Sequence, residues 1–236
     1  MIQIDVLDKG YVKLVDSMGG DYSILRAARV SHDHDRDAIS TMLNERDVKL
    51  LNYLWDHHHT TPFEAVTVTF EIKAPIFVFR QWHRHRTQSY NEMSARYTEL
   101  PEEFYMPTPE AVGTQDTKNK QARTTGENID LTKVQLELDS YKIGCEEAFV
   151  NYHYLLESGW PRELARMILP VSTYSRMYTT MNLLNCFRFL TLRADSHAQH
   201  EIRVYADAMV KLLYDGVAPY AVDAWRRTHE DPSRRS

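Results

Sequence analysis

The sequence predicts an α+β fold: a single domain with an antiparallel sheet and a set of long helices. Three observations carry this. Strand-like alternation sits early in the chain, above all in AVTVTFEIK, where Val66, Val68, Phe70 and Ile72 face one way and Thr67, Thr69, Glu71 and Lys73 the other. Helical spacing takes over from Val134, with Leu138, Tyr141, Cys145, Ala148, Tyr152 and Leu155 stepping by four and three. A chain of 236 residues, 43% hydrophobic and 26% charged, can bury roughly 70% of its unfolded surface without a disulfide or structural metal.

The elements follow in order. Ile2, Ile4 and Val6 alternate with polar neighbours, and Val12, Leu14 and Val15 resume after Lys9-Gly10, which predicts an N-terminal hairpin. Asp21 is the expected cap of a short helix through Ser23, Ile24, Leu25, Ala27 and Ala28. SHDHDRD, from Ser31, is a polar loop or helix start. Val48, Leu51, Leu54 and Trp55 have helical spacing and lead into His57, His58 and His59. Pro75 suits the first turn of a helix containing Ile76, Phe77, Val78 and Phe79. Residues 101–130, polar and rich in turn formers, are expected to be a mobile excursion loop. The long helix from Val134 should stop at Gly159. Further helices are expected from Thr180 to Leu192 and from Ser196 to Leu213, with Ile202, Tyr205, Met209 and Leu212 on one face, followed by a loose tail over 229–236.

Composition excludes several functions. A formal charge of -5 argues against general binding to nucleic acid or anionic membranes, which needs a broad basic surface. No apolar run reaches the roughly 20 residues of a membrane span, and MIQIDVLDKG has no signal-peptide pattern, so the expected location is cytoplasmic. Cys145 and Cys186 lie far apart and outside any CxxC pattern. The eight glycines form neither GxGxxG nor a P-loop, so bound phosphate must be held by arginines, hydroxyls or helix N-termini.

Two segments concentrate chemistry. RQWHRHRTQSYNEMSARY, from Arg80, interleaves Arg80, Arg84, Arg86 and Arg96 with His83, His85, Trp82, Tyr90 and Tyr97. Such a run is either a solvated basic face or a site where flat rings lie beside charge-assisted contacts to an anion. LRADSHAQHEIR brings Arg193, His197 and His200 close in sequence; Asp195 or Ser196 as an N-cap is its plain structural reading, and His197 and Glu201, four apart, would share a helix face. The HDHD tetrad at 32–35 and the three histidines at 57–59 raise metal-dependent phosphohydrolysis, although consecutive histidines on a helix diverge and cannot all hold one ion. No metal is expected.

Arg84-His85-Arg86, then seven residues, then Ser94 resembles the RHRx7S signature of the flavin-dependent thymidylate synthases, the ThyX family. The similarity extends to HTTPFE at 59–64, APIFVFRQW from Ala74, SYNEMSARY from Ser89, SGWPRELAR from Ser158 and LRADSHAQ from Leu192. It implies methylation of dUMP to dTMP with methylenetetrahydrofolate as carbon donor and FAD, reduced by NADPH, as redox cofactor. It also implies a homotetramer with active sites at subunit interfaces. Carried over by position, Gln81, Trp82, His83 and Arg84 help hold dUMP. Glu92, Met93, Ser94, Ala95 and Arg96 form its loop, with Ser94, Arg96 and Arg166 near the phosphate. Thr61, Arg84, His85, Arg86, Glu92, Asn182, Arg188 and His197 contact FAD, and His59, Ser31 and Tyr97 lie towards folate or NADPH. Arg193 is the catalytic group, stabilising negative charge on the uracil ring.

One departure stands out. Where many family members read NARS, this chain reads NLLN at 182–185, placing Leu184 where an arginine is common, and Arg188 stands where an asparagine is common. Either Arg188 supplies that charge or the adenine end of FAD is held differently. Two rivals remain beside the flavoenzyme: a metal-dependent nucleotide phosphohydrolase, and a noncatalytic RNA-binding module built on the arginine-aromatic run, which the acidic charge opposes. A yellow, metal-free preparation separates the first from both.

Overall fold

The N-terminal alternation forms the expected hairpin, β1 (Gln3–Val6) against β2 (Gly10–Met18) with Ile4 opposite Val12. Gly10 is obligatory, because a Cβ there would collide with the Tyr205 hydroxyl, which itself donates to Lys73 O. In this computed structural model the described residues are 2–30, 43–118, 120, 122–124 and 129–230. The central strand β3 (Thr67–Pro75) buries Val68, Phe70 and Ile72 completely, as its period of two requires. Two further strands complete the main sheet: β4 (Ser89–Glu92) and, far along the chain, β7 (Tyr174–Asn182). Their order is β1-β2-β3-β7-β4, and every pairing is antiparallel. Between them in sequence, β5 (Thr114–Gln115) and β6 (Arg123–Thr124) make a separate two-stranded ribbon.

β7 corrects the expectation that strands are only early and that a helix starts at Thr180. Met177 and Met181 are four apart, a helical spacing, and the inward residue between them is Thr179, so the period of two is masked. The helix begins instead at Leu183: α7 (Leu183–Arg193), capped by the Asn182 side chain, which accepts from Asn185 N at 2.9 Å.

The other helices are α1 (Asp21–Arg29), α2 (Glu45–Asp56), α3 (Ile76–Trp82), α4 (Pro109–Val112), α5 (Leu131–Glu157), α6 (Arg162–Ala165), α8 (His200–Gly216) and α9 (Pro219–Glu230). The main core lies between the sheet and α1, α2, α3, α7, α8 and α9; α5 covers a smaller one formed by Phe104, Cys145, Phe149, Tyr152 and Ala165. Ile202, Tyr205, Met209 and Leu212 are fully buried on one face of α8, as expected, but that helix starts at His200 rather than Ser196. Neither Asp195 nor Ser196 caps it. Asp195 instead accepts from His197 N at 2.9 Å and pairs with the His197 ring, so His197 precedes the helix and shares no face with Glu201. The expected tail also shifts: His229 and Glu230 belong to α9, and residues 231–236 lie outside the described ones.

The start of the 101–130 excursion is tied to the body of the fold. Phe104 and Tyr105 are buried, Tyr105 N donates to Ser172 O, Tyr174 N donates to Glu103 O, and Tyr141 donates to Tyr105 O. Its aromatic pair is what the polar composition concealed.

Asp21 does not cap its own helix. Gly20 occupies that position, and the buried Asp21 carboxylate accepts from Tyr220 N and Ala221 N, capping α9 from across the fold. Burial outweighs these bonds and pushes its pKa up from 3.8 to about 6. Between those values the folded state binds more protons than the unfolded one, so this group makes stability fall as pH rises. Asp21→Asn is expected to remove that dependence, worth up to about 3 kcal/mol for two pKa units. Chemical denaturation of both proteins from pH 4 to 6 checks the difference; parallel profiles would overturn it.

Candidate functional site

The arginine-histidine run begins where α3 ends. Trp82 is wholly buried, stacked on Phe189 at 4.6 Å and edge-on to Tyr205, while its Nε1 donates to Gln88 Oε1 at 3.2 Å. Its indole therefore has no surface for a nucleotide, which corrects the side-chain role expected for it. It pins the turn instead. From the other side, the Tyr90 hydroxyl donates to His85 O at 2.5 Å, and β4 fixes the returning chain on β7. Between these anchors Arg84 and Arg86 are exposed, and His83 is half-buried between Phe79 and Tyr90.

Arg193, the last residue of α7, reaches this turn. Its Nε donates to His85 Nε2 at 2.9 Å. Arginine has no acceptor to offer, so the His85 Nε2 must be the unprotonated nitrogen and Nδ1 carries the proton. Burial, then the Arg193 charge, pushes the His85 pKa down to about 4, so the imidazole is neutral at physiological pH. Burial also lowers the Arg193 pKa. The pair holds a partly desolvated guanidinium with its Nη groups free of this bond and available to stabilise an anion.

A second group gathers along the loop after β4. Met93 N donates to Arg176 O at 2.8 Å, and the Ser94 hydroxyl accepts from Arg96 N at 3.3 Å. Ala95 is buried, while Glu92 and Arg96 are exposed and Tyr97 is 80% exposed. Glu163 ties in α6: its carboxylate lies 3.5 Å from Arg96, and its carbonyl accepts from Arg166 Nε at 3.3 Å. Arg96, Arg166 and the Ser94 hydroxyl thus lie on neighbouring elements. Beside them, over the outer face of the sheet, Tyr11, Lys73, Met93, Glu103, Tyr174 and Arg176 line a cleft of about 310 Å³. Lys73 and Arg176 were invisible to sequence reasoning, because only the β3-β7 register sets them side by side.

The third group surrounds the start of α7. His57, His58 and His59 are not helical but form the turn closing α2. His58 N donates to Trp55 O and His59 N to Leu54 O, with His58 at φ 57° where glycine is usual. The His57 ring stacks on Tyr53 at 4.1 Å and the His59 ring meets that tyrosine edge-on. Thr61 follows, exposed, in a 3-10 turn whose Glu64 accepts from Asn182 Nδ2 at 3.5 Å. Leu184 is buried in the core, whereas Arg188 is exposed and donates to Asn185 Oδ1 at 3.1 Å. His197 lies apart, exposed beside Asp195. Ser31 and the HDHD tetrad fall outside the described residues, and among the described residues no three His, Cys, Asp or Glu side chains converge as metal ligands.

A charged hub was missed from sequence. Glu201, only 2% exposed, accepts from Arg123 Nη1 and Gln199 Nε2, both at 2.8 Å, and from the Tyr105 hydroxyl at 3.2 Å. Burial raises its pKa, but the bonds from Arg123 and Gln199 outweigh it and hold the carboxyl below its ordinary value. Gln199 in turn accepts from Gln81 Nε2.

Comparisons with known proteins place this geometry. The family model described as thymidylate synthase complementing protein matches residues 13–219. This chain belongs to the flavin-dependent thymidylate synthase family. A relative of that name from Thermosipho melanesiensis is 46% identical over 212 residues, covering 90% of this chain and 89% of its own. Another from Thermotoga neapolitana is 44% identical over 224 residues, covering 95% and 94%. Among solved structures, a UMP/dUMP methylase, PolB from Streptomyces cacaoi, bound with 5-Br dUMP, aligns with TM-score 0.83 at 36% identity, covering 95% of this chain and 97% of that one. The α+β class, read from alternation and helical spacing, is that of this thymidylate synthase family.

Proposed function

We propose that this chain is an enzyme that methylates dUMP to dTMP, with 5,10-methylenetetrahydrofolate as carbon donor and FAD, reduced by NADPH, as cofactor. The observation that carries it is the Arg193–His85 pair at the signature turn. Uracil is a poor carbon nucleophile, and a guanidinium held against the ring stabilises the negative charge that C5 needs in order to react. Ser94, Arg96 and Arg166 supply the hydroxyl and forked donors that a phosphate dianion requires in a glycine-poor protein.

The donor set fits FAD. Arg84, Arg86 and Arg188 are exposed guanidiniums suited to a diphosphate, and Thr61 and Asn182 offer a hydroxyl and an amide close to Arg188's helix. Because the Leu184 side chain lies in the core, Arg188 is our choice for the cation that replaces the family's arginine. FAD, when bound, supplies the hydride chemistry that no side chain can perform. The neutral His85, with its proton on Nδ1, would offer that N–H to the cofactor, and we assign His59 and Tyr97 to the folate or NADPH side.

We assign a homotetramer with shared sites. α5 buries Leu138, Cys145 and Tyr152 but leaves Leu136, Ile143, Val150 and Tyr154 each more than half exposed on its other side. Exposed apolar side chains recur at Trp160, Met167 and Val171, and apolar surface of this kind marks an interface. It lies beside Arg166, which supports a site completed across subunits. The double variant Ile143→Glu, Val150→Glu is expected to dissociate and to lose dTMP formation. Light scattering on the wild type that gives a monomer with full turnover would sink the shared-site reading.

The test of function is dTMP formation from dUMP, methylenetetrahydrofolate, FAD and NADPH, with the visible spectrum and metal content of the purified protein. A colourless protein with stoichiometric metal and no dTMP favours the phosphohydrolase. Both cysteines are buried, which opposes the alternative in which a cysteine thiolate adds to the pyrimidine. Cys186 is wholly buried and its thiol pKa is pushed far up by burial; Cys145 is buried beside the Ser172 hydroxyl. The double variant Cys145→Ala, Cys186→Ala is expected to keep dTMP formation while losing some stability to two small cavities. A folded, flavin-loaded but inactive double variant, revived by restoring one cysteine, would contradict this.

Among the described residues, no helix is long and apolar enough to cross a membrane. We place the activity in the cytoplasm, where free thiols such as these persist.

A further inference from the structure

Glu201 contributes no group to the pairs that hold Arg193 or the phosphate donors, yet it is the buried carboxylate with three donors on it. Those donors come from different parts of the chain. Arg123 arrives on the β5–β6 ribbon of the excursion, Tyr105 from the start of that excursion, and Gln199 from the residue capping α8. Beyond Gln199 lies Gln81, on the last turn of α3 and at the head of the signature.

The chemistry of these groups fixes a direction. An ionised carboxylate only accepts hydrogen bonds, so Gln199 must turn its NH2 towards Glu201. Its carbonyl oxygen is then left facing Gln81, and a carbonyl oxygen also only accepts. Gln81 must therefore spend an N–H on Gln199, and its own carbonyl oxygen is left for whatever binds beside it. Each amide, free to flip in isolation, is set by the charge at the far end of the chain. Arg123 matters because it keeps that charge in place: a neutral carboxylic acid or an amide at 201 could donate, and the order of the relay would no longer be imposed.

We infer that Glu201, held by Arg123 and acting through Gln199, is a positioning residue that fixes the Gln81 carboxamide so that its carbonyl oxygen meets the nucleotide as an acceptor. This rests on the reading of dUMP as substrate. It gives the β5–β6 ribbon a part in nucleotide binding, since Arg123 is carried there and nowhere near the signature in sequence.

Calorimetric titration of dUMP into the FAD-loaded protein tests it, alongside KM and kcat for dUMP. Glu201→Gln is expected to bind dUMP about tenfold more weakly, the scale of one hydrogen bond set by a charged group, with KM rising more than kcat falls. The swap Gln199→Glu with Glu201→Gln moves the charge one link along. The carboxylate placed at position 199 then accepts from Gln81 directly, so dUMP binding should return to within about threefold of wild type although the Arg123–Glu201 ion pair stays broken. A merely structural role for Glu201 gives no such rescue. Gln199→Leu, at an exposed position that does not threaten folding, cuts the relay while leaving Glu201 its Arg123 and Tyr105 donors, and is expected to match Glu201→Gln. Wild-type dUMP affinity in Gln199→Leu, or a swap no better than Glu201→Gln, overturns the relay. A wild-type protein that binds no dUMP at all overturns the substrate reading and the relay with it, a result distinct from either.

Discussion

Arg193→Ala is expected to lower dTMP formation by roughly two to three orders of magnitude while the protein keeps its FAD, the scale found when one preorganised charge-stabilising donor is removed. The structure gives the reason. Arg193 sits at the end of α7 with its Nε committed to His85, so the rest of its planar fork is held in a fixed direction in a partly dry setting. Lysine should rescue poorly, because an ammonium cannot bond His85 and present a second donor in one plane. The loss should appear in kcat, since the negative charge on uracil develops as C5 reacts. Near-normal kcat in a folded Arg193→Ala protein would refute the assignment. His85→Phe should show a smaller loss of the same kind, because it frees the guanidinium without removing it.

The largest expected effect on stability lies at Trp82→Ala, at about 3–5 kcal/mol, which for a chain of this size corresponds to a melting temperature lower by on the order of 10 °C. Three losses combine there. The indole fills fully buried space between Phe189 and Tyr205, its stacking on Phe189 disappears, and Gln88 Oε1 loses one of its two donors, keeping only the Thr179 hydroxyl at 3.0 Å. Trp82→Phe keeps the stacking and should cost less than half as much. Because Trp82 anchors the turn that carries Arg84, His85 and Arg86, the alanine variant should also lose flavin below its melting point. Thermal unfolding followed by both far-ultraviolet dichroism and flavin fluorescence separates the two effects; a Trp82→Ala protein as stable as wild type would show that the indole is not the anchor.

Chemically distinctive local strings were legible in the sequence. The hairpin at β1–β2, strand β3, helices α2 and α5 and the inward face of α8 follow from patterns of two and of three to four residues, which record burial directly. The signature run was legible for a different reason: arginine, histidine and serine at such density have few structural uses. Both kinds of signal fade when a residue's partner is distant in sequence. β7 was hidden because an inward Thr179 and two methionines four apart imitate a helix, and α9 because its cap, Asp21, comes from the other end of the chain. Trp82, grouped by sequence with the nucleotide contacts, became a core anchor only once α7 packed Phe189 against it.

By itself, then, the sequence determined the α+β class, the buried faces and the family to which the active-site residues belong, since these depend on local periodicity and on residue chemistry. Tertiary structure alone decided which of those residues meet: Arg193 with His85, Glu163 between Arg96 and Arg166, and Arg123 on Glu201 across a separation of 78 residues. A hydrogen bond selects its partner by distance and direction in space, and neither is encoded in spacing along the chain once the backbone has turned between them.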